Sequence, residues 1–516
     1  MAAMDRTWGA AAGLLAGAVA LGVAELTAAA TGPLGAPVVA VGEAAINVTP
    51  VPVKEFAIAH FGTHDKQALV AGILVLLAAF AAVTGVLAVR RLGFGLAGLA
   101  AFAAVGVAAG ISRPGSGAAE VLPTLAGAAA GAGTLVLLVR AVRRSQAAVR
   151  AGTGGAENAE VATRAGANRR QVLVAGAGAA VVAAGAGGLG SALLGRSAVA
   201  PGQVRLPAPA VRAKVPAGTE LGIPGLTPFV TPNASFYRVD TDLVLPQLSP
   251  RDWTLRIDGM VERELEIGFG QLLRMPLTEA EITLVCVSNE VGGTYNGNAR
   301  WLGVPLAGLL RRAGVRAGAD QVLSSAADGM TISTPLATIM DGRNALLAVG
   351  MNGQPLPVAH GFPARMVVPG LYGYVSATKW VTRLTVTTFA ARRAYWTQRG
   401  YAAQAPVKTE SRIDVPRPLA QVKAGRTTVA GVAWAPHRGI AGVEVSVDDG
   451  AWKRARLAPG GLDTWRQWVW RWDATPGLHQ LRVRAIDSAG ATQTPRRAHP
   501  FPSGASGWDS VVVTVT

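Results

Sequence analysis

Five long apolar stretches crowd the first two hundred residues, and they restrict this chain more than any other feature. They are read at about 8–30, 67–89, 92–112, 119–139 and 171–195. Each is near the ~20 residues that cross a bilayer as a helix. The first is too long and too loosely bounded to be only a cleaved signal peptide. Composition agrees: half of the 516 residues are hydrophobic and only 15% are charged. This excludes a disordered or fibrous chain and a single compact soluble domain.

Basic residues between the spans give an orientation. With the N-terminus inside, the inner loops hold ten: Arg6, Arg90, Arg91, Arg140, Arg143, Arg144, Arg150, Arg164, Arg169 and Arg170. The outer loops hold three, Lys54, Lys66 and Arg113. Positive charge collects on the cytoplasmic side, so five spans place everything after about residue 200 outside the cytoplasm. The net charge of +17 is therefore first a topology signal, and no nucleic-acid partner is expected. Asn168-Arg169-Arg170-Gln171 directly precedes the last span and resembles a twin-arginine export signal.

Few groups in this half could do chemistry. Glu25 and Glu120 fall near outer ends of spans, where a carboxylate reaches water. His60 and His64 share a helical spacing but lack a third ligand in reach. No span carries the buried histidine that haem ligation needs, and there is no C-x-x-C-H motif. The region 1–195 reads as an anchor or a docking surface in membrane lipid.

Residues 196–230, rich in Pro, Ala and Gly, read as a stiff linker. Residues 231–412 mix strands (253–257, 364–368, 382–387) with a helix at 306–312, as in an α+β domain. Residues 413–516 read as nearly all β, with Asp449-Gly450 as a hairpin turn. Turns every 8–12 residues suggest an immunoglobulin-like sandwich. Its tryptophans, Trp465, Trp468, Trp470 and Trp472, read as packing rather than as a ligand cage.

Cys286 is the one cysteine, so no intramolecular disulfide or Cys-ligated zinc finger can form. It ends an apolar run, Thr283-Leu284-Val285, and opens a polar loop, Val287-Ser288-Asn289-Glu290-Val291-Gly292-Gly293. A strand-to-loop edge is where functional side chains are presented, so Cys286 is a candidate ligand or nucleophile. His360, Arg365 and Lys379 surround a Gly/Pro-rich turn and suit a phosphate-bearing ligand.

These residues carry a resemblance. Cys286-Val-Ser-Asn-Glu, Ala299-Arg-Trp-Leu-Gly-Val-Pro-Leu306 and His360-Gly-Phe-Pro-Ala-Arg365 occur in the order found in the sulfite oxidase family of molybdopterin-dependent oxidoreductases. Val368-Pro-Gly370, Lys379-Trp380 and Gln398-Arg-Gly-Tyr401 follow. The resemblance covers about 231–516. It implies Cys286 as the molybdenum ligand, with Tyr237, Arg238, His360, Arg365, Ser376 and Lys379 holding the molybdenum-molybdopterin cofactor. It implies Tyr401 and Arg238 beside Cys286 at the catalytic centre, a dimerisation role for the sandwich, and two-electron oxo transfer on a small sulfur oxyanion. Electrons would pass to a cytochrome or quinone.

One departure stands out. The family members that bind sulfite carry an arginine pair after the cysteine, where this chain has Asn289-Glu290-Val291-Gly292. Two other functions are therefore kept open: a reductase of S- or N-oxides fed through the membrane half, and a non-catalytic immunoglobulin-like binding module.

Overall fold

The computed structural model describes residues 2–50, 65–112, 117–151, 158–196 and 201–516, with Val53, Phe56, His60 and Phe61 between. His64, Lys54 and Arg113 lie outside the described residues. The chain forms two compact units, one of residues 1–198 with Thr241–Leu245, the other of the remainder.

In the first unit, five helices are long and apolar enough to cross a membrane: Arg6–Thr31, Lys66–Arg90, Leu92–Ile111, Ala118–Ala147 and Arg170–Leu193. A shorter apolar helix, Pro37–Val48, was not foreseen. The first helix is the hub, and glycine makes it so. A Cβ on Gly13 would lie 1.9 Å from the Ala81 carbonyl oxygen, and one on Gly85 2.1 Å from that of Gly9. Gly127 meets Ala20 and Gly22 meets Ala183 in the same way. Where lipid replaces water, close backbone approach through small residues is what holds helices together. Thr241–Leu245 packs with this unit too. Leu243 Cδ1 sits 2.3 Å from where a Gly42 Cβ would be, and Lys66 Nζ donates to the Asp242 carbonyl at 2.6 Å.

The second unit corrects the expected linker. Residues 201–230 are a strap lying on the domain, not a spacer. Ala210 N donates to Leu277 O and Glu279 N to Val211 O, both at 2.8 Å. Glu220 accepts from Phe229 N at 2.7 Å and Gln467 Nε2 at 2.9 Å. The extended backbone that proline and alanine favour in a free spacer also lets neighbouring amides hydrogen-bond along a surface; composition cannot tell the two apart.

Two sheets follow, the first mixed and the second antiparallel. One sheet runs Leu265–Gly268, Thr254–Gly259, Val381–Thr387, Gln321–Ala326, Thr331–Pro335. The other pairs Thr278–Val285 with Asn296–Pro305, then Leu346–Met351, which also pairs Arg365–Val367. The helix Leu306–Ala313 buries Leu306, Leu309, Leu310 and Ala313 on one face, the spacing of an amphipathic helix.

The C-terminal region is β-rich. A four-stranded sheet (Glu410–Val415, Gly425–Trp434, Arg466–Ala474, Arg456–Leu457) and a five-stranded one containing Ile440–Val447, Gly477–Asp487 and Asp509–Val515 enclose a shared core around Trp468, Trp472, Val443 and Leu481. Trp465, Trp468 and Trp472 are buried and Trp470 packs against the same core, as packing residues should be. The hairpin turn is shifted by one residue from Asp449-Gly450. Gly450 N bonds to Val447 O, so Asp448 and Asp449 are its centre, at φ of 48° and 60°. Aspartate tolerates the left-handed region well enough for both turn positions.

Candidate active site

The strand Thr278–Val285 becomes fully buried as it nears its end (Leu284 1% and Val285 0% exposed) and delivers Cys286 into a tight loop. Cys286 N donates to Tyr295 O at 2.9 Å, and Asn289 N to Cys286 O at 3.1 Å. Buried Asn289 braces the loop from inside: its Oδ1 accepts from Tyr295 N at 2.8 Å and its Nδ2 donates to Glu290 O at 3.1 Å. Gly292 turns the chain at φ +77°, where a Cβ would stand 2.5 Å from Asp509 Oδ1. Burial pushes the Cys286 thiol up, while hydrogen bonds from Ser288 and the Val287 amide favour the thiolate. A thiolate so supported is poised for a metal whose charge replaces the proton.

Tyr237 lies close enough to feel both Cys286 and Arg365. Burial first, then Cys286, raise its pKa, with Arg365 opposing, so its hydroxyl stays a neutral donor. Its oxygen is 3.6 Å from where a Cβ on Gly373 would be.

The cations converge from three segments. Gly361, at φ +105°, lets them close up: a Cβ there would lie 3.0 Å from Arg365 Cβ and 3.1 Å from Lys379 Cα. Arg365 is 5% exposed, lies over the Trp301 ring at 5.1 Å, and donates to His360 O (3.1 Å) and Ala377 O (3.2 Å). It has no carboxylate partner among the described residues. Burial lowers its pKa to about 10, which leaves it charged. His360, bonded through Nε2 to Asn233 O at 3.1 Å, is pulled down to about 4 by burial and by Arg365, Lys379 and Arg238, so it is neutral at pH 7. Lys379 and Arg238 share Asp240, at 2.9 and 2.6 Å. Asp240 thus ties two of the three cations together, and Arg365 stands without a carboxylate among the described residues.

The structure brings Cys286, Tyr237, Arg238, His360, Arg365 and Lys379 into one region and treats two expected residues differently. Ser376 is fully buried and its hydroxyl donates back to Leu371 O and Tyr372 O at 3.1 and 3.0 Å, closing its own short helix. Tyr401 sits in a row of aromatics: its ring is 5.4 Å from Tyr374, 5.3 Å from Trp396 and 5.0 Å from Phe501.

Several residues went unseen in the sequence. Asp240, two residues past Arg238, was the one readable signal, an acid beside a basic set. Arg412 reaches from the C-terminal region to hold the cysteine loop, donating to Gly293 O (2.5 Å) and Asn296 Oδ1 (3.1 Å), with Asp414 and Thr227 completing its partners. Glu410 is 3% exposed and its Oε1 has no partner. Tyr372 feels both Glu410 and Cys286.

Does this set fit a phosphate-bearing metal cofactor? A buried guanidinium without a counter-ion, a neutral imidazole beside it and a supported thiol make the donor set such a group needs. Residues 242–396 match the family described as oxidoreductase molybdopterin binding domain. Sulfite oxidase of Gallus gallus is 30% identical over 313 residues, covering 51% of this chain and 67% of that protein. The chain belongs to the sulfite oxidase family of molybdopterin-dependent oxidoreductases. Mitochondrial sulfite oxidase of Mus musculus is 32% identical over 47% of the chain and 52% of its own length. The family member thus spans about half to two thirds of the curated relatives it matches. The crystal structure of the sulfane dehydrogenase SoxCD from Paracoccus pantotrophus is 26% identical, with a TM-score of 0.50 over 56% of this chain and 84% of that one. The family membership implies a molybdenum cofactor, and the residues around Arg365 and Cys286 fit it.

Two outcomes follow from this geometry. Arg412→Met should cost about 3–5 kcal/mol in unfolding free energy, as for a broken buried ion pair. It should also speed native-state reaction of Cys286, the only thiol, with a thiol reagent; denaturant titration and labelling rates measure the two. Burial raises the Glu410 carboxyl from 4.5 to about 8, with Asp509 and Glu290 adding and Lys408 opposing. The folded chain keeps that proton where the unfolded chain loses it, so stability falls as pH rises between those values. Glu410→Gln should match wild type near pH 4 and exceed it above pH 8 in thermal unfolding.

Proposed function

We propose that this chain is a membrane-anchored, outward-facing molybdenum oxidoreductase acting on a small sulfur compound. Substrate plus water gives the oxygenated product, two protons and two electrons. The observation that carries the proposal is Arg365, a buried cation with no carboxylate, set beside the loop of the lone cysteine.

When bound, the cofactor would supply two-electron redox chemistry at its metal. The protein's own residues do the rest. Cys286 Sγ would ligate the metal, its loop held by Asn289 within and Arg412 without. Arg365, His360 and Lys379 would hold the pterin phosphate; His360, neutral in the folded chain, gains affinity for a proton once an anion stands beside it. Tyr237 keeps its proton and can donate at the thiolate side. Arg238, 42% exposed and paired with Asp240, lies where an anionic substrate would arrive. Tyr401 adds an aromatic wall on the outer side.

A sulfur oxyanion such as sulfite follows from the mammalian and avian relatives. A sulfane sulfur is the second reading. Glu290, exposed on the cysteine loop, disfavours a doubly charged anion, and the SoxCD structure this chain resembles is that of a sulfane dehydrogenase.

The five apolar helices and the ten-to-three distribution of basic residues support anchoring with the second unit outside. Arg169-Arg170 would act as a twin-arginine signal, because a domain carrying an inserted cofactor must cross already folded. Residues 231–412 would form the cofactor domain and 413–516 an immunoglobulin-like domain suited to dimerisation.

Detergent-purified wild type from a cofactor-competent host should carry close to one molybdenum per chain by elemental analysis. Cys286→Ser should keep pterin and lose turnover, while Arg365→Met should lose both pterin and metal. Wild type free of pterin overturns the proposal. An alkaline phosphatase fused after Thr516 should be inactive on this export route unless it folds before crossing, so a fluorescent protein fusion is the better reporter. It should lie outside the inner membrane in wild type and remain cytoplasmic in Arg169→Lys/Arg170→Lys.

A further inference from the structure

Directly after Asp240 the chain leaves the second unit for five residues. Thr241–Leu245 belong to the first unit, and the second resumes at Pro246. Two helices of the first unit grip that loop. Lys66, which opens the helix Lys66–Arg90, donates through Nζ to the Asp242 carbonyl at 2.6 Å. Leu243 Cδ1 fills the space where Gly42, in the helix Pro37–Val48, has no Cβ. Ile73 Cδ1, from the Lys66 helix, borders the same notch at 3.4 Å. Asp242 is 5% exposed, so the grip is made away from water.

Asp240 works at the other end of the same short stretch. Its carboxylate receives Arg238 at two points, Nε at 2.6 Å and Nη2 at 3.3 Å, and also Lys379 Nζ at 2.9 Å. The Asp240 side chain is 3% exposed and that of Arg238 is 42% exposed. A guanidinium held on two nitrogens by a fixed carboxylate has its plane set, and with it the directions of its remaining N–H groups. Two residues of chain span at most about 7 Å, so little slack separates Asp242 from Asp240. Hydrogen bonds of this kind are kept only across a window of about 0.5 Å. A small shift of the gripped loop is therefore felt at the carboxylate.

We propose that the helices of the first unit do more than anchor: Lys66 and the Gly42 notch position Asp240, and through it the Arg238 guanidinium that meets an anionic substrate. Lys66 and Leu243 are positioning residues, and neither touches the reacting atoms. This rests on the reading of Arg238 as a substrate-facing group. The alternative is a loop that attaches two units and transmits nothing.

The test uses the full chain, purified from a cofactor-competent host into nanodiscs, with phenylglyoxal as the guanidinium reagent. Peptide mass spectrometry gives the rate at Arg238, with exposed Arg392 and Arg496 as references. Asp240→Asn defines the rate of a released Arg238. Lys66→Met combined with Leu243→Ala should raise the Arg238 rate about threefold or more toward that value, with the reference rates unchanged. Lys66→Arg, which keeps a donor, should restore the wild-type rate. Lys66→Met alone leaves Leu243 seated and should give a smaller rise in the same direction, which secures the test if the double variant folds poorly. With sulfite as the probe, KM should rise about threefold at unchanged kcat, the pattern of weakened binding without damage to the chemical step. An Arg238 rate that stays at the wild-type value in these variants overturns the proposal. So does a rise shared by Arg392 and Arg496, the mark of a loosened fold. Wild type that turns over no sulfur compound strikes the oxidoreductase reading instead, and the labelling still decides the coupling.

Discussion

A guanidinium buried without a carboxylate is an unstable thing to build, and Arg365 is the point around which this site is arranged. An isolated buried charge costs several kcal/mol even after relaxation. Three carbonyls and the face of Trp301 offset part of that cost, and a bound anion would offset the remainder. Burial first, and then the same charge, keep His360 neutral, and with Lys379 and Arg238 that charge makes the region cationic. Asp240 removes only part of the excess, from the rim, and leaves the buried member unmatched. The fold thus holds a space for negative charge before any ligand arrives.

The C-terminal region is as much a part of that arrangement as the cofactor domain. Arg412 and Asp509 close over the cysteine loop from strands more than a hundred residues away, and Gly292 is the residue that lets Asp509 in. Trp465 donates from the same region twice, through Nε1 to Phe229 O at 2.9 Å and through its amide to Thr283 Oγ1 at 2.7 Å. A mutation in the β-rich region can therefore reach the metal ligand without touching it.

How much of this was legible depends on how local the cause is. The five long apolar helices were readable because length and hydropathy lie directly in the sequence, although the fourth runs on to Ala147, eight residues past its expected end. Strands such as Val381–Thr387 and Gly425–Trp434 showed their alternation. Cys286 stood out because a lone thiol at a strand edge is unusual, and the motif order supplied His360, Arg365 and Lys379. The bonds of the Ser376 hydroxyl to carbonyls four and five residues back left no trace in a motif. The strap at 201–230 looked like a spacer because proline-rich composition describes backbone shape and not what the backbone touches. Arg412 had no signal: its partners are set by tertiary packing alone.

Leu243 offers a last consequence. It fills the notch left by Gly42 among the helices, yet it is three residues along from Asp240, which ties Arg238 to Lys379. Cutting the chain after the last helix would not yield a cleanly detached enzyme. The freed domain would carry a leucine whose own packing partner, the notch at Gly42, had gone with the helices. Shedding a soluble form of this protein would first require a polar residue at that position.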